Sequence, residues 1–204
     1  AGVANIQVYD LDSATSSDAL TVTMTAKTAN SITIQASPGL LSKSTATTTG
    51  VSTLTASVKD IDGFPVGGAP VAFSILNPTG GGETVSPVVV FSATATGNGL
   101  ALGDARTTFT AGSLSSPATG VQVRASVANT AVATEAMGVN ATNSGNDASI
   151  VIGGTAGSVT FGQATVLAEG SNATTYILAM SVQVADSNGN PVPLGTAVNL
   201  SVWP

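Results

Sequence analysis

Ser57-Val58-Lys59-Asp60-Ile61-Asp62-Gly63-Phe64-Pro65-Val66 reads as a strand, a tight turn and the start of the next strand, and it occurs twice. It returns as Gln183-Val184-Ala185-Asp186-Ser187-Asn188-Gly189-Asn190-Pro191-Val192. Asp60 and Asp186 stand 126 positions apart, as do Gly63 and Gly189, and Pro65 and Pro191. Upstream, Ser31-Ile32-Thr33-Ile34 is echoed by Ser158-Val159-Thr160-Phe161 at a step of 127. Downstream, Val71, Phe73 and Ile75 are echoed by Val198, Leu200 and Val202 at the same step. A constant step of this size, with alternating apolar residues on both sides of the turn, marks a repeat the size of a domain.

The repeat divides the chain into expected parts. Residues 1–29, where Ile6 and Val8 and then Leu20, Val22 and Met24 alternate with polar neighbours, read as the closing hairpin of one domain. Residues 30–140 read as one complete domain. Residues 141–156, rich in Asn, Ser and Gly, read as a linker with a lead-in strand. Residues 157–204 read as the opening strands of a further domain, truncated before its end. A window cut from a longer array is the expected origin of such a pattern.

Composition points to β structure. Ser and Thr make up about a quarter of the residues, charged residues 8% and aromatics 4%. Val and Thr suit extended backbone because their branched Cβ packs well on a pleated surface. Gly, Pro and Asn punctuate the chain at short intervals, and no long segment carries helical periodicity. Short strands with frequent turns predict an all-β sandwich. Expected inward rows are Ile32 and Ile34; Leu54, Ala56 and Val58; Val71, Phe73 and Ile75; and Val121, Val123 and Val127, followed by Met137 and Val139. The dense run Val88-Val89-Val90-Phe91 reads as a strand covered on both sides. Phe73, Phe91 and Phe109 are the expected large core residues.

What is missing excludes several functions. The chain has no cysteine and no histidine. Disulfides, zinc-thiolate sites, thiol catalysis and His-dependent catalysis are therefore excluded together. Its glutamates, Glu83, Glu135 and Glu169, are far apart in sequence, and no Gly-x-Ser-x-Gly elbow is present, so no enzyme is expected. The five basic residues, Lys27, Lys43, Lys59, Arg106 and Arg124, are scattered, and the net charge is −6. Nucleic acid, which needs clustered cations, is not an expected partner. Mean hydropathy is +0.38, yet no run of about 20 apolar residues exists to cross a membrane as a helix. Uncharged Ser and Thr on the outward strand positions fit an extracellular repeat protein.

Asp60-x-x-Gly63-x-Pro65-Val66, then Ala69-Pro70-Val71-Ala72-Phe73-Ser74, then Arg106-Thr107-Thr108-Phe109-Thr110-Ala111-Gly112 and Val121-Gln122-Val123-Arg124-Ala125-Ser126-Val127 together carry a resemblance. They resemble the bacterial Ig-like domain of group 1 (Big-1), the module repeated in intimin and invasin-type adhesins. The resemblance spans 31–140 fully and 158–204 in part. It implies tandem Ig-like antiparallel β-sandwiches, one complete and two partial, at the bacterial cell surface. It implies a spacer in a stalk, not receptor recognition, which in that family resides in a terminal lectin-like tip.

Candidate site residues are few. Asp60, Asp62 and Asp186 have the oxygen chemistry of a Ca²⁺ site, and so do Asp10, Asp12 and Asp18 in the first hairpin. The competing reading makes them turn residues, Asp bonding nearby N–H groups and Gly taking positive φ. The second copy carries Asn188 where the first has Asp62, which removes a carboxylate and favours the turn. No cofactor is expected. Asn140, Asn172 and Asn199 open glycosylation-type triplets of the kind that occur by chance in so Asn- and Ser-rich a chain. Trp203 reads as a core residue.

Three functions compete. The first is a structural spacer of an extracellular surface protein, with junctions near Asn30 and residues 140–157 setting its stiffness and neighbouring Ig-like domains as partners. The second is a filament subunit, a homo-polymer whose partial domains complement one another head to tail. Against it, the two end pieces together fall well short of one domain. The third is a carbohydrate- or host-binding module using Tyr9, Tyr176 or Trp203.

Overall fold

Residues 51–59 show why this sequence becomes sheet. Ser52, Leu54, Ala56 and Val58 are buried while Val51, Thr53 and Lys59 face solvent, with Thr55 and Ser57 half-buried between. That two-residue period is satisfied only by a strand with one face on a core. The structure is a computed structural model and describes residues 2–8, 12, 16–24, 28–127, 147–163 and 177–201. All regular elements among them are strands: β1 (Gly2–Ile6), β2 (Leu20–Met24), β3 (Ser31–Ser37), β4 (Leu40–Ser42), β5 (Val51–Lys59), β6 (Pro70–Ile75), β7 (Thr84–Ser86), β8 (Val89–Phe91), β9 (Asp104–Thr110), β10 (Val121–Val127), β11 (Asp147–Gly153), β12 (Ala156–Gln163) and β13 (Met180–Asp186).

The central unit is an Ig-like sandwich. One sheet runs β3-β5-β9-β7 and the other β4-β11-β10-β6-β8. From β3 to β10 consecutive strands alternate between the two facing sheets, and β11 then pairs beside β10 in the same sheet. Ile32, Ile34, Leu54, Ala56, Val58 and Phe109 from the first sheet meet Val71, Phe73, Val121, Val123, Ile150 and Ile152 from the second in one core. Pro38 and Gly39 end β3 and let the chain cross to the other sheet, since Pro supplies no N–H to continue a ladder. There β4 pairs with β11 in parallel, Val151 opposite Leu40 and Ile152 opposite Leu41. The sandwich is therefore not wholly antiparallel.

Three expectations change. Residues 147–153, expected within a linker and lead-in strand at 141–156, form β11, an interior strand of the five-stranded sheet with Ala148, Ile150 and Ile152 buried. The strand therefore belongs to the preceding sandwich, which runs on past residue 140 to Gly153. The run at 88–91 is an edge strand pairing only with β6, not one covered on both sides. Phe91, expected in the core, is 67% exposed, while Phe73 and Phe109 are buried as expected. The expected strand residues Met137 and Val139 lie outside the described residues.

The sequence repeat is also a repeat of strand pairing. In the first copy Ser31, Ile32, Thr33 and Ile34 lie opposite Lys59, Val58, Ser57 and Ala56. In the second, Ser158, Val159, Thr160 and Phe161 lie opposite Ala185, Val184, Gln183 and Val182. Each residue keeps its counterpart's partner, so β12–β13 repeats β3–β5 in register. Burial differs sharply. Ile32 and Ile34 are 1% and 7% exposed, whereas Val159 and Phe161 are 64% and 50% exposed. At the other end, β1 and β2 form a two-stranded antiparallel sheet with Ile6 opposite Leu20.

Candidate functional site: the joint between repeat units

Each copy of the turn is organised by one aspartate. In the first, Asp60 Oδ1 accepts bonds from Asp62 N (3.0 Å) and Phe64 N (2.8 Å), and the Asp60 carbonyl accepts from Gly63 N (3.1 Å). In the second, Asp186 Oδ1 accepts from Asn188 N (2.8 Å) and Asn190 N (2.9 Å), and its carbonyl from Gly189 N (3.1 Å). Gly63 and Gly189 have φ of 83° and 82°, the left-handed region in which a Cβ is unfavourable. The outer positions close the turn, Asp60 N donating to the Phe64 carbonyl and Asp186 N to that of Asn190. An acceptor two and four residues ahead of its N–H donors is the chemistry of an Asx turn.

The second turn does more, because it is seated against the end of the central sandwich. Asp186 Oδ2 accepts the backbone N–H of Gly154 at 2.9 Å, just beyond β11, and the side-chain amide of Asn190 at 3.3 Å. Asn190 Nδ2 also donates to the Ser116 carbonyl at 2.6 Å, and Asn188 Nδ2 to Ser116 O and Ser115 Oγ, each at 3.1 Å. Ser116 is held in turn by Ile152 of β11. Its N–H donates to the Ile152 carbonyl (3.0 Å) and its Oγ accepts from Ile152 N (2.9 Å). Asp186, Asn190 and Ser116 are all buried.

Glycine allows this close approach. A Cβ on Gly153 would sit 2.6 Å from the Pro191 carbonyl oxygen, and one on Gly157 2.7 Å from Ser187 N. The backbone of the turn therefore lies directly on the backbone that connects the two units. Burial opposes a charge on Asp186, but the N–H groups of Gly154, Asn190 and Asn188 and the Asn190 amide outweigh it. Together they hold the carboxyl below the ordinary carboxylate range.

Asp60 and Asp186 thus act as turn residues, and in Asp186 both carboxylate oxygens are already taken up by N–H donors. Among the described residues no three carboxylates converge on a point. Asp12 lies in the first hairpin on the surface, and Asp10 is outside the described residues. Of the glycosylation-type triplets, only Asn199 is described, and it is exposed. Tyr9, Tyr176, Trp203, Glu135 and Glu169 fall outside the described residues. The only candidate general acid or base of the glutamate type left among those described, Glu83, accepts a bond from Thr79 in a glycine loop. Arg124 and Asp147 form a two-pronged ion pair across β10 and β11, both contacts at 2.7 Å. The hydrogen bond from Arg124, against a smaller effect of burial, lowers the Asp147 pKa.

Sequence reasoning placed the turns and expected a junction near residues 140–157, but it missed Ser115, Ser116, Gly154 and Asn190. The available signal was the change from Phe64 to Asn190 between copies, together with Gly153-Gly154 just before the repeat restarts.

No protein-family model matches this chain, and no curated protein matches it. Among solved structures it is similar to the crystal structure of invasin, described as a bacterial integrin-binding protein. The identity is 16%, the match covers 91% of this chain, and the TM-score is 0.43. The chain spans about a third of that protein's length, 32%.

Proposed function

We propose that this chain is a structural spacer, a stalk segment of an extracellular bacterial surface protein, and that it carries no catalysis. The observation that carries the reading is the seated Asp186 turn. A repeat unit contributes a buried carboxylate and a buried amide to the end of the unit before it, so consecutive units are fastened and not merely strung together. In a linear array each unit contacts only its neighbours, and the stiffness of the whole is set at such joints. A connection as short as Gly154-Thr155 between β11 and β12 limits bending further.

The uncovered faces support the array. Val159 and Phe161 occupy the positions of Ile32 and Ile34, and in the central unit those positions are covered by the facing sheet. In a longer array the remaining strands of the same unit cover them. The sparse charge, the Thr- and Ser-rich outward face and the lack of thiols suit an oxidising exterior.

A second reading, a head-to-tail filament, draws on the same uncovered faces, with the β1–β2 hairpin of one copy meeting β12–β13 of the next. Small-angle scattering and electron microscopy of the purified chain separate the two. The spacer reading expects an elongated particle of one chain. A spherical average shape contradicts it, and ordered filaments favour the second reading.

A further inference from the structure

The two turns have the same backbone, yet only the second has side chains suited to the seat it occupies. Its fifth residue, Asn190, is 2% exposed and donates to Ser116 O, whereas the equivalent residue in the first turn, Phe64, is 58% exposed and its side chain has no amide to donate. The seat is equally particular. It offers two acceptors, Ser116 O and Ser115 Oγ, and one donor, Gly154 N–H, beside Gly153, where a Cβ would collide with the Pro191 carbonyl oxygen. Where the second copy has Gly153 and Gly154, the sequence before the first copy has Ala26 and Lys27 at the same 127-residue step. The residue types therefore differ between the copies both in the turn and at this position.

We infer that the 115–116 and 153–154 end of the sandwich is a selective docking surface, and that its partner is a turn of Asp-x-Asn-Gly-Asn chemistry on the following unit. The buried Ser116 carbonyl accepts from both Asn190 and Asn188. Phe at the Asn190 position removes the shorter of these bonds and one donor to Asp186 Oδ2 without admitting water. The first turn, with Asp62 and Phe64, supplies neither amide, so a Phe-bearing turn is disfavoured. Joints in the array then differ in strength according to the turn that each unit presents, and the order of units is encoded in these short segments. This rests on the reading of the chain as an array, but it is tested at the joint alone.

Asn190→Phe gives the second turn the residue of the first. The first copy shows that this turn accommodates Phe with its backbone hydrogen bonds intact. The measurement is amide hydrogen exchange on the full chain, followed at Gly154, Leu54 and Phe109. The expected result is exchange at Gly154 faster by about tenfold, with Leu54 and Phe109 unchanged. Unchanged exchange at Gly154 overturns selectivity, because the seat then accepts either turn. Equal acceleration at all three sites also overturns it, because the substitution then weakens the sandwich and not the joint. Neither outcome depends on the overall shape of the particle, so the spacer reading stands or falls separately.

Discussion

Asn190 Nδ2 lies 2.6 Å from the carbonyl oxygen of Ser116, joining residues 74 positions apart on two different repeat units. The same amide reaches Asp186 Oδ2, which also holds Gly154 N–H. One side chain thus links a turn, a neighbouring loop and the connecting segment. Charge-assisted bonds to a buried carboxylate are stronger than bonds between neutral groups, which makes Asp186 the anchor and Asn190 the clasp.

Asp186→Asn separates the two roles of this carboxylate. An amide oxygen at the Oδ1 position still accepts from the backbone of Asn188 and Asn190, so the turn persists. The amide nitrogen then faces Gly154 N–H and Asn190 Nδ2, donors against a donor. The joint weakens by about 1–3 kcal/mol while the sandwich keeps its melting temperature. Calorimetry together with exchange at Gly154 reads both.

Acid has a defined effect on the joint. The groups that face Asp186 are Gly154 on the connecting segment and Asn188 and Asn190 on its own turn, with the uncharged Ser115 and Ser116 beside them. Because its folded pKa is lowered, the stabilisation is complete above the ordinary carboxylate value of 3.8 and is lost as pH falls through the folded value. Exchange at Gly154, monitored down to pH 2, accelerates below that range. Raising the pH from 5 to 8 leaves it unaffected after correction for the intrinsic exchange rate.

Phe109→Ala tests the core. Phe109 is fully buried on β9, opposite Ser52 of β5 and Val85 of β7. Removing its ring destabilises the sandwich by about 3–5 kcal/mol, which chemical denaturation measures directly.

Phe91→Ser is the matching surface test. The ring stands in solvent on the edge strand β8, beside the exposed Val88 and Val89. Stability changes by no more than about 0.5 kcal/mol, and concentration-dependent association, measured by sedimentation, decreases.

The contrast between those two phenylalanines shows what the sequence made legible. Alternation placed Phe109 inside because β9 sits between two strands and keeps one face on the core. Phe91 carries the same local signal, but in β8 Val90 packs against the core while Val89 and Phe91 share the outward face, and an unbroken apolar run does not report which of its two faces turns inward. The Asp-x-x-Gly-x-Pro turn was legible down to its hydrogen bonds, since Asp and Gly have few alternative uses in such a spacing. Strand β11 falls where a lead-in strand was expected, but its place in the preceding sandwich was hidden because its apolar row is short and its surroundings read as linker. The joint was hidden for a different reason. Ser116 contributes a backbone carbonyl and Gly154 a backbone N–H, groups that every residue possesses, so only three-dimensional proximity identifies them.

The central claim is that consecutive units are held at a fixed orientation. Residual dipolar couplings from a weakly aligned sample of the chain test it most directly, measured for β3–β11 and for β12–β13. One alignment tensor of a single magnitude fitting both sets is the expected result, with Asn190→Phe reducing the magnitude for β12–β13. Two tensors of different magnitude in the unsubstituted chain would mean that the units move independently, and would contradict the account.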